Sequence, residues 1–117
     1  MYPILRKENQ SITRTGFGKL TFYAGDLVGN CREAAVGFCH ILCGKANQTH
    51  RHTCTEILHV LEGEIIHTYN EKEYPLSAGD TIIIPAGVIH NARNIGEDTA
   101  ILAITFPDSA RPTEYLD

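Results

Sequence analysis

Apolar and polar positions alternate in short runs along this chain, and no run carries the three-to-four-residue apolar spacing of an amphipathic helix. Residues 19–23, 34–43, 56–61, 65–69, 73–76, 81–84, 88–94 and 100–106 read as strands, each short and rich in β-branched or aromatic side chains. Glycine, asparagine, proline and aspartate punctuate them, and 70–72 and 94–98 predict hairpin turns. With no repeat and no low-complexity tract, the pattern predicts an all-β fold of two antiparallel sheets, a jelly roll. Residues 1–15 lack a strand pattern and are expected to cross to a neighbouring subunit or to fray. The barrel then occupies 16–107, and 108–117 forms a polar tail.

Composition narrows the class. A chain of 117 residues fits one domain and one barrel core. Its net charge of −4 offers no basic footprint for nucleic acid or an anionic membrane. The first residues hold no apolar run suited to a secretory signal, and no stretch approaches the ~20 residues of a membrane span, so a cytoplasmic protein is expected. Cys31, Cys39, Cys43 and Cys54 form no C-x-x-C pair and read as reduced thiols. Cys39 and Cys43 suit small buried packing positions, and Cys54 lies in a corner between two candidate ligands.

The chemistry concentrates in two glycine-punctuated segments. In the first, His50 and His52 are two apart on one strand, so both imidazoles face the same side, about 7 Å apart. Glu56 follows the polar corner Thr53-Cys54-Thr55, where a tight reversal would swing its carboxylate back toward them. In the second, Pro85-Ala86-Gly87 interrupts the ladder before the strand that carries His90. Three imidazoles and a carboxylate favour one divalent transition metal (Mn, Fe, Co, Ni, Cu or Zn) over the all-oxygen sites of Mg or Ca. On a six-coordinate ion, four such ligands leave two positions for water, dioxygen or a bidentate substrate such as a hydroxy acid; on a four-coordinate ion they close the site.

These segments resemble the paired motifs of the cupin superfamily, G-x5-H-x-H-x3-E-x6-G and G-x5-P-x-G-x2-H-x3-N. Gly44, His50, His52, Glu56 and Gly63 fill the first, and Gly79, Pro85, Gly87, His90 and Asn94 the second. The resemblance implies a double-stranded β-helix (jelly-roll) barrel, His50, His52, Glu56 and His90 as metal ligands, and a homodimer packed sheet on sheet. It also implies a small-molecule substrate or ligand. The family includes dioxygenases, isomerases, lyases and uronate ring-opening enzymes. It therefore leaves two readings open: a metal-dependent enzyme acting on a small oxygenated acid or sugar-like metabolite, and a non-catalytic binding or sensory module. The glycines and Pro85 are assigned to turn geometry.

Three residues are candidates for proton transfer: Glu56 itself, His40 if its face of the strand looks inward, and Asp108. The stretch 105–115 is loosely similar to the tail of the uronate enzymes, which would make Asp108 a general base and Phe106 a pocket wall. Leu58, Val60, Ile82, Ile84 and Ala92 are expected to wall the pocket. Arg51 and Arg93 are expected outside it, and His59 and His67 in structural or interface positions.

Overall fold

A computed structural model describes residues 3–116, which form a two-sheet barrel. A 3-10 turn at Lys7–Asn9 precedes eleven strands. These are β1 (Ser11–Arg14), β2 (Gly18–Ala24), β3 (Ala35–Ile41), β4 (His50–His52), β5 (Glu56–Glu62), β6 (Glu64–Tyr69), β7 (Lys72–Ser77), β8 (Thr81–Ile84), β9 (His90–Asn94), β10 (Ala100–Phe106) and β11 (Thr113–Tyr115). One sheet has six strands in the order β1-β2-β3-β10-β5-β8, the other five in the order β11-β4-β9-β6-β7, and the pairings are antiparallel.

The alternation anticipated from sequence sets which side chains fill the barrel. In β3 and β10 every second residue is buried, so Ala35, Cys39, Ile41, Leu102, Ile104 and Phe106 point inward and meet Leu58, Val60, Ile65 and Ile84. Each such aliphatic side chain contributes roughly 1.5–3 kcal/mol. Truncating Leu102, fully buried between β3 and β5, would cost about 2–5 kcal/mol. Gly37 lets β2 and β3 close up, since a Cβ there would stand 2.1 Å from the Thr21 carbonyl oxygen.

The strand pattern differs from expectation at its ends. Residues 11–14, inside a stretch that carried no strand signal, form β1, an edge strand with mostly exposed side chains. Residues 113–115 of the expected polar tail form β11, which pairs with β4. The third strand stops at Ile41, which leaves Cys43 exposed, its thiol donating to the Gly96 carbonyl oxygen at 3.2 Å, instead of packing in the core. Asn70 and Glu71 turn β6 into β7 with positive φ angles of 50° and 71°, the geometry of a two-residue hairpin.

Asn94 shows how the second motif holds the barrel. Its buried amide donates to the carbonyl oxygens of Ile41 and Asp98, both at 2.8 Å, and accepts the Gly96 N–H at 2.8 Å. One side chain thereby satisfies three loop or strand-end backbone groups that would otherwise be buried without partners.

Candidate metal centre

Strand parity turns His50 and His52 inward from β4, with Arg51 between them exposed. β4 and β5 lie in different sheets, so the Thr53-Cys54-Thr55 corner crosses the barrel rather than reversing within one ladder. Glu56, the first residue of β5, therefore faces the histidines from the opposite wall. His90 enters from β9, which lies beside β4 with His90 directly opposite His50. The turn 85–87 fixes that approach: Gly87, at φ 84°, donates its N–H to the His52 carbonyl oxygen at 2.8 Å.

All four side chains are buried, and one ligand atom from each lies within 4.8 Å of every other. Each imidazole is oriented through Nδ1: His50 donates to Gln48 O at 2.6 Å, His90 to Val88 O at 2.9 Å, and His52 to Thr113 Oγ1 at 3.0 Å. The Thr113 hydroxyl spends its own hydrogen on Arg111 O at 2.9 Å, so it accepts from His52. With Nδ1 carrying the hydrogen, each Nε2 presents a lone pair to the cluster.

Glu56 completes the argument for a cation. Burial opposes its ionisation, but the contacts from His52 and His90 outweigh burial and hold its carboxyl down at about 2. Its Oε1 lies 3.1 Å from His90 Nε2 and 3.3 Å from His52 Nε2, the latter a buried nitrogen with no aligned hydrogen bond. So close an approach needs a positive partner between the atoms: a hydrogen on Nε2, which makes the contact a hydrogen bond and keeps the carboxylate ionised, or a metal ion that takes the lone pairs of all four side chains. His50 is pushed down to about 4, by burial first and then by His90, so it stays a neutral potential ligand near pH 7. The donor set fits a divalent transition metal, with imidazole and carboxylate and no thiolate.

A cavity of about 340 Å³ opens beside the cluster, lined by His50, His52, Glu56, Leu58, Cys39, Leu102, Ile104 and Phe106 on its inner walls. Thr13, Thr15 and Phe17 from the β1–β2 hairpin and Arg111, Thr113 and Tyr115 from the C-terminal segment close its rim. Leu58 and Phe106 are wall residues as expected, whereas Val60, Ile84 and Ala92 lie in the barrel core and Ile82 packs against it.

His40 and Asp108 lie outside this cavity. His40 is half-buried on the face of β3 opposite Cys39, beside Phe38 and Lys19, and burial lowers its pKa. Asp108 accepts the Ala110 N–H at 2.9 Å and shapes the turn before β11. Arg51 pairs with Glu114 and Arg93 with Glu73, both outward. His59 contacts Thr81 Oγ1 at 2.7 Å. Cys39 lines the cavity with its thiol pushed up to about 12 by burial, and burial also raises the half-buried Cys54 thiol. Both are therefore protonated near pH 7.

Sequence reasoning gave no role to Arg111, Thr113 or Tyr115, because a three-residue strand leaves no periodic trace. His67, expected in a structural or interface position, is fully buried inside the barrel and stacked on His90, with ring centroids 5.6 Å apart. Its inward phase with Ile65 was the available signal.

A family model described as "Cupin domain" matches residues 37–106. The chain is 35% identical over 77 residues to an uncharacterized protein of Methanocaldococcus jannaschii, covering 63% of this chain and 62% of that one. It is 30% identical over 101 residues to auxin-binding protein 1 of Arabidopsis thaliana, covering 78% and 50% respectively. The chain thus spans between half and two thirds of these relatives' lengths. Among solved structures, an oxalate decarboxylase of Bacillus subtilis superimposes with a TM-score of 0.81 at 19% identity, covering 92% of this chain and 30% of that one.

Proposed function

The chain belongs to the cupin domain family, and from that premise we propose that it is a metal-dependent enzyme acting on a small oxygenated acid or sugar-like metabolite. The supporting observation is the Glu56 carboxylate, ionised and buried with its Oε1 3.1 Å from His90 Nε2 and 3.3 Å from His52 Nε2. His50, His52, Glu56 and His90 would hold the ion. A divalent transition metal there supplies Lewis-acid polarisation or dioxygen chemistry. Manganese(II) centres are a feature of the Bacillus subtilis oxalate decarboxylase, which makes manganese a first choice for reconstitution.

The chain's own residues account for the rest. Gln48, Val88 and Thr113 fix the imidazole tautomers. Leu58, Leu102 and Ile104 exclude water on one side of the cavity, while Asn47, Gln48 and Tyr115 offer polar groups at its rim. Of the candidate proton carriers, only Glu56 reaches the cavity, and as a ligand it would act on a proton only while partly detached.

Auxin-binding protein 1 favours a second reading, a binding module whose pocket retains a small acid without turnover. A homodimer fits the outer face of the six-stranded sheet, where Ile83, Ile57, Thr105 and Val36 form a continuous cross-strand row, with Ile57 and Ile83 exposed. Among the described residues no helix is long and apolar enough to cross a membrane, and a cytoplasmic site of action agrees with four free cysteines.

The test is metal content of gently purified protein, followed by oxygen-uptake and isomerisation or lyase screens over small acids and sugars. Stoichiometric metal with turnover lost in His52→Ala supports the enzyme. Ligand-induced stabilisation without turnover supports the binding module, and failure to retain any metal after repletion overturns both as metal-dependent readings.

A further inference from the structure

Arg111 is the one lysine or arginine that lines the cavity with the histidine cluster. Among the described residues no carboxylate lies within ion-pair distance of it, although the other cavity-side charge, Glu56, is committed to the cluster. Its position is built. The guanidinium carbon stands 4.3 Å from the Phe22 ring centroid and 5.9 Å from that of Phe106, and Phe106 in turn meets the His52 ring edge-on at 4.8 Å. Nη1 reaches Thr113 Oγ1 at 3.5 Å, the same oxygen that accepts from His52. The backbone at Arg111 has φ 36°, a left-handed conformation that glycine adopts freely and that an arginine holds only under constraint from its surroundings.

A half-buried guanidinium with no counter-ion, held on two aromatic faces at the rim of a cavity, has its fork of donors left for a ligand. We propose that Arg111 is the carboxylate-binding residue of this site, and that the ligand is a small 2-hydroxy or 2-oxo acid. Its carboxylate would lie on Arg111 and its second oxygen would face the histidine cluster. The inference rests on the reading of the cluster as a metal centre and narrows its substrate class to anions. Charge supports it: with a divalent ion bound, the Glu56 carboxylate would offset one of its charges and the Arg111 guanidinium would add another, so the cavity would draw in an anionic ligand in preference to a neutral sugar.

The test compares glycolate, which carries both oxygens, with imidazole, a neutral ligand for an open coordination position. Both are titrated calorimetrically into manganese-loaded wild type, Arg111→Gln and Arg111→Lys, with manganese affinity measured in parallel. The expected result is a glycolate affinity at least about tenfold lower in Arg111→Gln, partly restored in Arg111→Lys, with imidazole and manganese affinities unchanged. Unchanged glycolate affinity, an equal loss for imidazole, or no glycolate binding by wild type would overturn it and leave Arg111 as a clip between Phe22 and Phe106. If wild type takes up no metal, the metal-centre reading fails separately. Arg111 is then judged from glycolate-induced NMR shifts of the metal-free protein, which support the proposal if lost in Arg111→Gln and overturn it if retained or never present.

Discussion

The three imidazoles of His50, His52 and His90 and the fourth of His67 share one barrel interior, but the protein treats them in opposite ways. Each of the three has its Nδ1 tied to a carbonyl or hydroxyl oxygen and its Nε2 turned to a common point. His67, stacked on His90 and fully buried, has no hydrogen-bond partner at either nitrogen. Burial, and then the neighbouring His90, hold it down to about 4, so it stays neutral near pH 7. The difference teaches that burial alone does not make a histidine a ligand. The anchoring of the far nitrogen does, because it sets the tautomer and aims the lone pair.

Removing an aimed nitrogen should have the largest effect. His90→Ala or His52→Ala should lower metal affinity by more than about 100-fold, exceeding the loss expected for an outer partner, and competition with a coloured chelator would read it. Removing an anchor while leaving the ligand should cost less. Thr113→Val deprives His52 Nδ1 of its hydroxyl partner, and a loss of about 10–100-fold in metal affinity is expected; an unchanged affinity would show that Pro112 O, 3.3 Å away, suffices.

Acid should act alike on one histidine of each kind in the metal-free protein. His50 and His67 have folded values of about 4, below the ordinary 6.5, so the unfolded chain binds more protons between those values and stability falls as pH drops from 6.5 toward 4. Each contributes on the order of 2 kcal/mol across that window. Glu56, held at about 2, adds a further loss below pH 4.5. Chemical denaturation at pH 7, 5.5 and 4.5 would trace the slope. The smallest effect is expected from His67→Leu, which should raise stability at pH 7 by about 1 kcal/mol by removing unsatisfied nitrogens, flatten the acid slope, and leave metal affinity within about threefold. A large loss of metal would make His67 part of the centre and erase the contrast.

Much of this was legible in the sequence because it is local. The His50-x-His52 spacing fixes a shared strand face, and Gly79, Pro85 and Gly87 mark the turn that delivers His90. What stayed hidden depends on partners distant in sequence. Ser11–Arg14 becomes a strand only because β2 pairs with it, and Thr113–Tyr115 only because β4 offers an open edge. The rim residues Arg111 and Thr113 followed that strand out of view. His40 illustrates the complementary limit: alternation along β3 divides its residues into two faces, but only the pairing of β3 between β2 and β10 decides that Cys39 looks in and His40 looks out.

The spacing of the ligands along the chain also bears on the order of assembly. Three of them lie between residues 50 and 56, and the fourth joins only when β9 settles beside β4. An unfolded chain thus already offers most of the donor set to a passing ion, and any such capture subtracts from the stabilisation that the ion gives the native barrel. Since the barrel depends on long-range pairings such as β3 with β10, which form slowly, an ion taken up by the ribbon would have its coordination completed only as β9 closes, so metal present during refolding should enter the cluster faster than metal added to the finished barrel.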